Sequence, residues 1–344
     1  MSGMPGAAGP PRQVPLVDVR SAGLLTTIQD AGRPDAAALG VPRSGACDPL
    51  AMAAANLLLG NAPEAAVLEA SLLGPELRVL RSGFVALTGA DMEARDSDGG
   101  RRLGLGRTHH LEEGTTLVLG AAADGARAYL AVPGGFAVPI VLGSASTCLA
   151  GRFGGFSGRP LAPGDVLLAN VDEAGRPTPS ERVWPGPGPS SGVPAGVDDV
   201  VLRVVPGPHA GQLTADEFGR LLSTTWEVDH RSDRMGVRLA TSAAPNRDRS
   251  AAAELVSLPM TWGAVQLPPG GAPIVLLADH PTVGGYPVPL VVAAVDRPVL
   301  GQLRPPHRVR FVPVDVAEAQ AAWLEAERAL DEAARRLRVS GVDG

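Results

Sequence analysis

The polar residues with the clearest chemical potential follow a short apolar run near the C-terminal end of the chain. The run at residues 274–278 predicts a buried strand, and it stops at Asp279 and His280. A carboxylate beside an imidazole at a strand end can orient a general base or bind an amide N–H. The turn that follows contains Thr282, Gly284, Gly285 and Tyr286, and its glycines would let backbone amides approach a ligand closely. A tight turn capped by the aspartate is the alternative interpretation of this stretch.

Two further polar clusters could take part in the same chemistry. The first occupies a loop rich in glycine and proline, and its polar residues are Gln29, Asp30, Arg33, Ser44 and Asp48. The second is the run at residues 230–234, which ends in Arg234. Arginine can bind a carboxylate or a carboxyphosphate in a bidentate geometry. For the second cluster, a solvated turn with internal ion pairs is the alternative.

The composition excludes several classes of function. The formal charge of −6 argues against a nucleic-acid partner, and no apolar run approaches the roughly 20 residues needed to cross a bilayer. No lysine is present, so this chain carries no lysine Schiff base, no lysine of a phosphate loop and no biotinylated lysine. The N-terminal residues 1–14 lack the apolar core of a signal peptide, and we expect a disordered tail on a cytoplasmic protein.

The cysteine and histidine patterns predict neither a disulfide framework nor a metal site. Cys47 and Cys148 lie far apart in the sequence, and we expect two free buried thiols. His109 and His110 stand beside two glutamates, but neighbouring residues of a strand point to opposite faces. An exposed polar turn is therefore the better interpretation of that segment.

Short apolar runs separated by glycine and proline predict a mainly β protein in both halves. Asp48 and Pro49 predict the start of a helix over residues 49–59, Thr214 caps a second helix, and Asp315 caps a third. The loop before Asp48 contains too many breakers for a regular element. The predicted organisation is a tail (1–14), an N-terminal half (15–171), a solvated Pro/Gly-rich linker (172–197), a C-terminal half (198–313) and a C-terminal helix (314–338). Because most strands neighbour each other in sequence, we expect antiparallel barrels.

Beyond these patterns, a series of collinear motifs resembles the biotin-dependent carboxyltransferase-like family. That family includes the C-type subunit of bacterial 5-oxoprolinase, the Kip antagonist protein, the second allophanate-hydrolase-type subunit and the carboxyltransferase part of urea carboxylase. The motifs are 26–33 (TTIQDAGR), 40–48 (GVPRSGACD), 55–61 (ANLLLGN), 87–91 (LTGAD), 129–135 (YLAVPGG), 142–147 (LGSAST), 203–208 (RVVPGP), 232–239 (SDRMGVRL) and 279–287 (DHPTVGGYP). Asp35 stands where the family is expected to have glycine, which leaves the geometry of the first loop open.

The resemblance implies two cyclophilin-like β-barrel halves with accessory helices, acting beside a B-type, Kip-inhibitor-like subunit and, in an oxoprolinase, an A-type subunit. The leading hypothesis is a C-type 5-oxoprolinase subunit that binds no cofactor alone, with ATP used in the complex to open 5-oxoproline to glutamate. One alternative is a carboxyltransferase that receives the carboxyl group from biotin on a separate carrier and passes it to urea or a similar amide. The other is a non-catalytic regulator that binds the B-type, Kip-inhibitor-like partner. In the leading hypothesis Asp279 and His280 are catalytic, and Arg33 and Arg234 hold a carboxylate or a phosphorylated intermediate. The polar wall around the substrate is completed by Gln29, Asp30, Ser44, Asp48, Thr282 and Tyr286, and no metal is required.

Overall fold

The computed structural model describes residues 12–97, 100–171, 180–186, 199–241 and 256–339. These residues form a mainly β protein with one closed barrel, few helices and a long C-terminal helix, which confirms the predicted fold class. Within the described ranges, no helix is both long and apolar enough to span a membrane.

The N-terminal half consists of two five-stranded sheets that share one apolar core, rather than a single closed barrel. One sheet has the order β10-β1-β4-β8-β6 and the other β2-β3-β9-β5-β7. Their strands are β1 Arg12–Ser21, β2 Leu25–Gln29, β3 Val67–Ser71, β4 Glu76–Val79, β5 Gly83–Asp91, β6 Arg95–Asp96, β7 Arg107–Leu111, β8 Thr116–Val118, β9 Asp124–Ala131 and β10 Val166–Val171. In β1, Val17 and Val19 face the core, while Asp18 and Arg20 form an ion pair 3.1 Å apart outside it, the alternation expected of a strand covered on one face.

The C-terminal half contains a closed seven-stranded barrel in the order β11-β18-β15-β16-β13-β12-β19. The strands of this half are β11 Asp199–Pro206, β12 Trp226–Val228, β13 Gly236–Ala240, β14 Leu258–Pro259, β15 Ala264–Gln266, β16 Ile274–Leu276, β17 Val283–Gly284, β18 Leu290–Val292 and β19 Arg308–Pro313. Alternate residues of β11 are buried, with Leu202 packing inside the barrel against Val265 and Phe311. Most pairings are antiparallel as expected, but β11 and β19 pair in parallel and close the barrel.

The predicted helix starts are confirmed by their caps. The helices are α1 Pro49–Leu58, α2 Ala215–Ser223, α3 Arg297–Gly301 and α4 Val316–Val339. The Asp48 carboxylate accepts a hydrogen bond from the Ala51 N–H at the start of α1, and Thr214 and Glu217 form a capping box on α2. The small residues of α1 pack against β5 and β9, which sets the loop before Asp48 against the same sheet.

The structure corrects three of the sequence expectations. The loop before Asp48 contains a 3₁₀ helix, Pro34–Leu39, where proline at the first position tolerates the turn. Residues 12–14 belong to β1, although the tail was expected to extend to residue 14; residues 1–11 lie outside the described ranges. The linker was expected to be solvated, but Trp184 is buried beside Ala333 and Leu337 of α4. Burial of the large apolar surface of the indole favours this contact. Residues 172–179 and 187–197 of the predicted linker lie outside the described ranges.

Candidate functional site

The predicted site residues come from both halves and gather where the halves meet, around the Arg234 side chain. Arg234 is 3% exposed. Its Nε donates to Asp279 Oδ2 at 2.8 Å and its Nη2 donates to Asp279 Oδ1 at 3.2 Å and to the Gly45 carbonyl at 2.7 Å. Its Nη1 donates to Glu69 and lies 3.4 Å from Cys47 Sγ. Each of the five guanidinium N–H groups therefore already has an acceptor within the protein.

Glu69 is the carboxylate at the centre of this contact, and it belongs to β3 of the N-terminal half. Its Oε2 accepts hydrogen bonds of 2.8 Å from the Cys47 N–H and from the Tyr129 hydroxyl. Its Oε1 pairs with Arg234 and lies 3.8 Å from Nε of Arg127. Burial alone would raise the pKa of Glu69, but the charges of Arg234 and Arg127 outweigh burial and lower it. Glu69 is thus ionised and shared by two buried arginines.

Asp48 and Gln302 extend the same contact to the start of α1. The Gln302 amide donates to Asp48 Oδ2 at 2.8 Å, and its oxygen accepts from the Ala126 and Arg127 N–H groups at 3.0 and 2.9 Å. Burial raises the pKa of Asp48 to about 7. We call the set Asp48, Glu69, Arg127, Tyr129, Arg234, Asp279 and Gln302 the paired network. Hydrogen bonds and ion pairs among these side chains join the two halves.

Gln29 and Asp30 hold the loop that carries Ser44 and Asp48. The Asp30 carboxylate accepts from the Gly32 and Ala145 N–H groups at 2.7 and 2.6 Å and from the Ser144 hydroxyl at 2.6 Å. Gln29 accepts from the Gly45 N–H at 3.1 Å and is fully buried. Both side chains therefore fix backbone positions, and both are buried, so they are not exposed to a substrate in this arrangement.

Arg33 and Ser44 lie in the same loop and keep hydrogen-bonding groups unused. The Arg33 guanidinium stacks on Phe153 at 5.1 Å, and its Nε donates to the Val141 carbonyl at 3.4 Å. Its Nη1 has no partner among the described residues, and the same holds for Ser44 Oγ. Both residues are nearly inaccessible, with Arg33 2% exposed and Ser44 0%. A ligand would reach them only if this loop moved.

His280 has the geometry of a neutral base. Its Nδ1 lies 2.8 Å from the Pro281 carbonyl, so Nδ1 carries the proton and the lone pair of Nε2 remains an acceptor. Burial lowers the pKa of His280, and the charges of Arg43 and Arg297 lower it further. The imidazole is therefore uncharged at neutral pH.

The turn after His280 is partly open to solvent. Thr282 is partly buried, while Gly285 and the 41%-exposed Tyr286 lie on the surface. Gly284 belongs to β17 and pairs with Leu258, and a Cβ there would approach the Gln266 amide within 2.5 Å. Gly284 therefore packs closely against the Gln266 side chain, and the approach of its amide to a ligand stays a prediction.

The structure adds three residues that were not among the predicted site residues: Arg43, Trp262 and Arg297. The guanidinium carbons of Arg43 and Arg297 lie 5.8 and 5.1 Å from the centre of the Trp262 ring. Arg43 Nε, Arg297 Nε and Trp262 Nε1 are buried atoms without a hydrogen-bond partner among the described residues. We call these three residues the unpaired cluster. No sequence signal identifies it, because its members lie far apart in the chain, two of them in loops and Arg297 at the start of α3.

The unpaired cluster is a cationic site for which the described residues provide no counterion. Burial, followed by the like charge of Arg43, lowers the pKa of the Arg297 guanidinium to about 10, so both arginines stay charged at neutral pH. The carboxylate next to Arg297 in sequence, Asp296, is bound to Arg203 at 3.1 Å, and Asp279 is bound to Arg234. The site can accept an anion, and the neutral His280 imidazole lies within reach of the same charges.

The glycine-rich turn at residues 151–158 does not have the features of a phosphate-binding loop. Side chains added at Gly154, Gly155 and Gly158 would overlap with Ser146, Thr147 and Arg152 of the protein itself. These glycines thus serve internal packing. The nearby thiols of Cys47 and Cys148 are free and buried, as expected.

Known proteins resemble this chain over most of its length. A family model described as the carboxyltransferase domain, subdomain A and B, matches residues 39–313. The chain belongs to this carboxyltransferase family. The C subunit of the 5-oxoprolinase of Escherichia coli K12 is 33% identical over 325 residues, which cover 94% of this chain and 99% of that protein. The resemblance found in the sequence motifs is confirmed.

Other members of the carboxyltransferase family are much longer than this chain. The urea amidolyase of Lachancea kluyveri is 31% identical over 316 residues, which are 88% of this chain and 17% of that protein. The crystal structure of the K. lactis urea amidolyase matches with a TM-score of 0.82 at 27% identity, over 95% of this chain and 20% of that one. The crystal structure of TTHA0988 matches with a TM-score of 0.75 at 36% identity, over 91% of this chain and 60% of that one.

Proposed function

We propose that this chain is the C subunit of an ATP-dependent 5-oxoprolinase, which opens the ring of 5-oxoproline to give glutamate. The observation that carries the proposal is the extent of the match with the E. coli protein, which covers 94% of this chain and 99% of that C subunit. The partners would be a B-type, Kip-inhibitor-like subunit and an A-type subunit, assembled in the cytoplasm. ATP would be bound by another subunit, because this chain has neither a lysine nor a phosphate-binding loop in the turn at residues 151–158.

In this proposal the chain binds and orients the substrate at the junction of its two halves. The lone pair of His280 Nε2 accepts a proton from the substrate or from the attacking water. Asp279 is a positioning residue, since both of its oxygens are bound by Arg234. Tyr286 and Thr282, which lie on the open side of the turn, would complete the wall around the substrate.

The test is reconstitution of the three subunits from the host of this chain. With ATP and 5-oxoproline, we expect glutamate and ADP to form only when all three subunits are present. His280→Gln should lower kcat by roughly 100-fold, the usual contribution of a general base, without changing assembly on a sizing column. His230→Gln is the control, because His230 is exposed and lies outside the site. An assembled complex that forms no glutamate would overturn the proposal.

The second candidate is transfer of a carboxyl group from carboxybiotin on a separate carrier to urea or a similar amide. It is favoured by the structural match to the K. lactis urea amidolyase, with a TM-score of 0.82. The same reconstitution distinguishes the two candidates when urea, bicarbonate and a biotin-dependent partner replace 5-oxoproline. Carboxylation of urea without ring opening of 5-oxoproline would favour this second function.

A further inference from the structure

Three buried N–H groups of the unpaired cluster have no acceptor among the described residues, and they lie outside the predicted site. A buried donor without a partner costs about 1–3 kcal/mol, so proteins seldom retain several in one place without a ligand to accept them. The other unpartnered atoms of the described ranges are Arg33 Nη1 and Ser44 Oγ in one loop, Arg127 Nε, which faces Glu69 at 3.8 Å, and the Nε atoms of Arg182 and Arg304. Among the described residues, only those of the unpaired cluster surround a single ring.

The charges around the cluster require an anion. Arg43 and Arg297 are both partly buried, and no carboxylate of the described residues forms an ion pair with either one. The two nearby carboxylates, Asp279 and Asp296, are held by Arg234 and Arg203. His280 is neutral and adds no negative charge. A carboxylate has acceptor positions on two oxygens, enough for the two Nε–H groups and the indole N–H.

Contacts within the protein hold the backbone at Arg43 and Arg297 in place before a ligand arrives. The Arg43 carbonyl accepts from the Arg33 N–H at 2.8 Å, which fixes the loop. Arg297 begins α3, and α3 leads directly to Gln302 of the network. Gly301 allows this approach because a side chain there would overlap with the Cys47 carbonyl. Such preorganisation is typical of binding sites.

We infer that Arg43, Trp262 and Arg297 form a carboxylate-binding subsite that recognises the anionic end of the substrate beside His280. The inference rests on the proposed function, because 5-oxoproline carries a carboxylate whereas urea carries none. The subsite would make the chain selective for a cyclic amide with a carboxylate. Its neutral analogue, 2-pyrrolidinone, has the same ring and amide but cannot use these donors.

The test uses the complex of all three subunits, with Arg43→Met or Arg297→Met in this chain, since methionine keeps the contact with Trp262 and removes the charge. We expect the KM for 5-oxoproline to rise roughly 10- to 100-fold in each variant, with kcat changed only a few-fold. Binding of 2-pyrrolidinone, measured as inhibition of the same complex, should not change. The matched control is Arg159→Met: Arg159 also stacks on an aromatic ring, Phe156, at 5.1 Å, but Asp165 neutralises it at 2.7 Å.

The outcomes separate this inference from the proposed function. An active complex whose KM for 5-oxoproline is the same in both variants and in the wild type would overturn the subsite alone. A complex without oxoprolinase activity would overturn the proposed function. In that case, calorimetry on the full-length chain would still compare 5-oxoproline with 2-pyrrolidinone and inorganic phosphate. Binding of phosphate but not of 5-oxoproline, lost in both variants, would overturn the carboxylate assignment.

Discussion

The paired network and the unpaired cluster are neighbouring regions with opposite electrostatic designs. In the paired network, Arg234 and Arg127 share Glu69, and every donor of Arg234 has a protein acceptor. In the unpaired cluster, Arg43 and Arg297 repel each other across Trp262, and no carboxylate of the described residues pairs with them. Both regions are built from arginines and loops, so residue type alone does not distinguish them. The difference is whether the counterion belongs to the protein or must come from a ligand.

This contrast separates stability from recognition. A buried ion pair is costly to break because the remaining charge is left without a partner, so the paired network should respond strongly to single substitutions. An unpaired buried charge weakens the folded state, and its removal should cost little stability while it weakens binding. The predictions below test this contrast through the free energy of unfolding of the chain without ligand.

The largest effect is expected for Glu69→Gln. The amide keeps the shape of the side chain but leaves Arg234 and Arg127 without their shared negative charge. We expect a loss of about 3–5 kcal/mol in the free energy of unfolding, measured by urea denaturation. Glu76→Gln, at an exposed position of β4, is the matched control and should change stability by less than about 0.5 kcal/mol. A loss below about 1 kcal/mol for Glu69→Gln would show that the network does not hold the halves together.

A smaller loss is expected for Tyr129→Phe. The Tyr129 hydroxyl donates to Glu69 and accepts from the Asp48 N–H, both at 2.8 Å, in a fully buried position. Removing it leaves the Asp48 N–H without an acceptor, and we expect a loss of about 1–3 kcal/mol. The other tyrosine of the chain, Tyr286, is 41% exposed and provides the control. If Tyr286→Phe destabilised the chain as much as Tyr129→Phe, the distinction between the two regions would fail.

The sequence predicts the elements of the fold better than it predicts which polar residues are shared between them. The caps at Asp48 and Thr214 are local signals, and the structure places α1 and α2 directly after them. Alternation in β11 likewise predicts a strand with one buried face. The parallel pairing of β11 with β19 depends on residues far apart in the chain, and no local pattern encodes it.

In the candidate site, too, local signals are visible in the sequence, whereas contacts between distant residues are not. Asp279 and His280 are recognisable because they follow a strand, but the partner of Asp279 lies 45 positions away in sequence. Glu69 carries one usable signal, a lone charge in the otherwise uncharged strand β3, which indicates a buried partner. Arg43 and Arg297 carry none, because their proximity is created by the contact between the halves.

The contrast between the paired network and the unpaired cluster predicts that Arg297→Met does not lower the free energy of unfolding, unlike the substitutions in the paired network. Removing this charge ends the repulsion from Arg43 and the burial of an unpartnered Nε, so we expect stability without ligand to be unchanged or to rise by up to about 1 kcal/mol. Arg203→Met should instead cost about 1–3 kcal/mol, because it leaves the buried Asp296 carboxylate without its partner. A loss above about 1 kcal/mol for Arg297→Met would mean that Arg297 has a counterion in the free protein.

The smallest effect is a pH dependence that originates in His280. Burial and the neighbouring arginines lower the pKa of His280 below its ordinary value of about 6.5. Between the folded and the unfolded pKa of His280, the unfolded chain binds more protons, so the stability contributed by His280 must fall as pH drops below about 6.5. Asp48, whose pKa is raised to about 7, contributes with the opposite sign, and the comparison of variants separates the two. In urea titrations at a series of pH values, His280→Gln should lose part of this fall, whereas the exposed His230→Gln should retain it. An anion bound at Arg43 and Arg297 would offset their repulsion of the imidazolium. Saturation with 5-oxoproline should therefore weaken the pH dependence of stability in the wild type. A pH dependence that 5-oxoproline leaves unchanged would place the ligand away from His280.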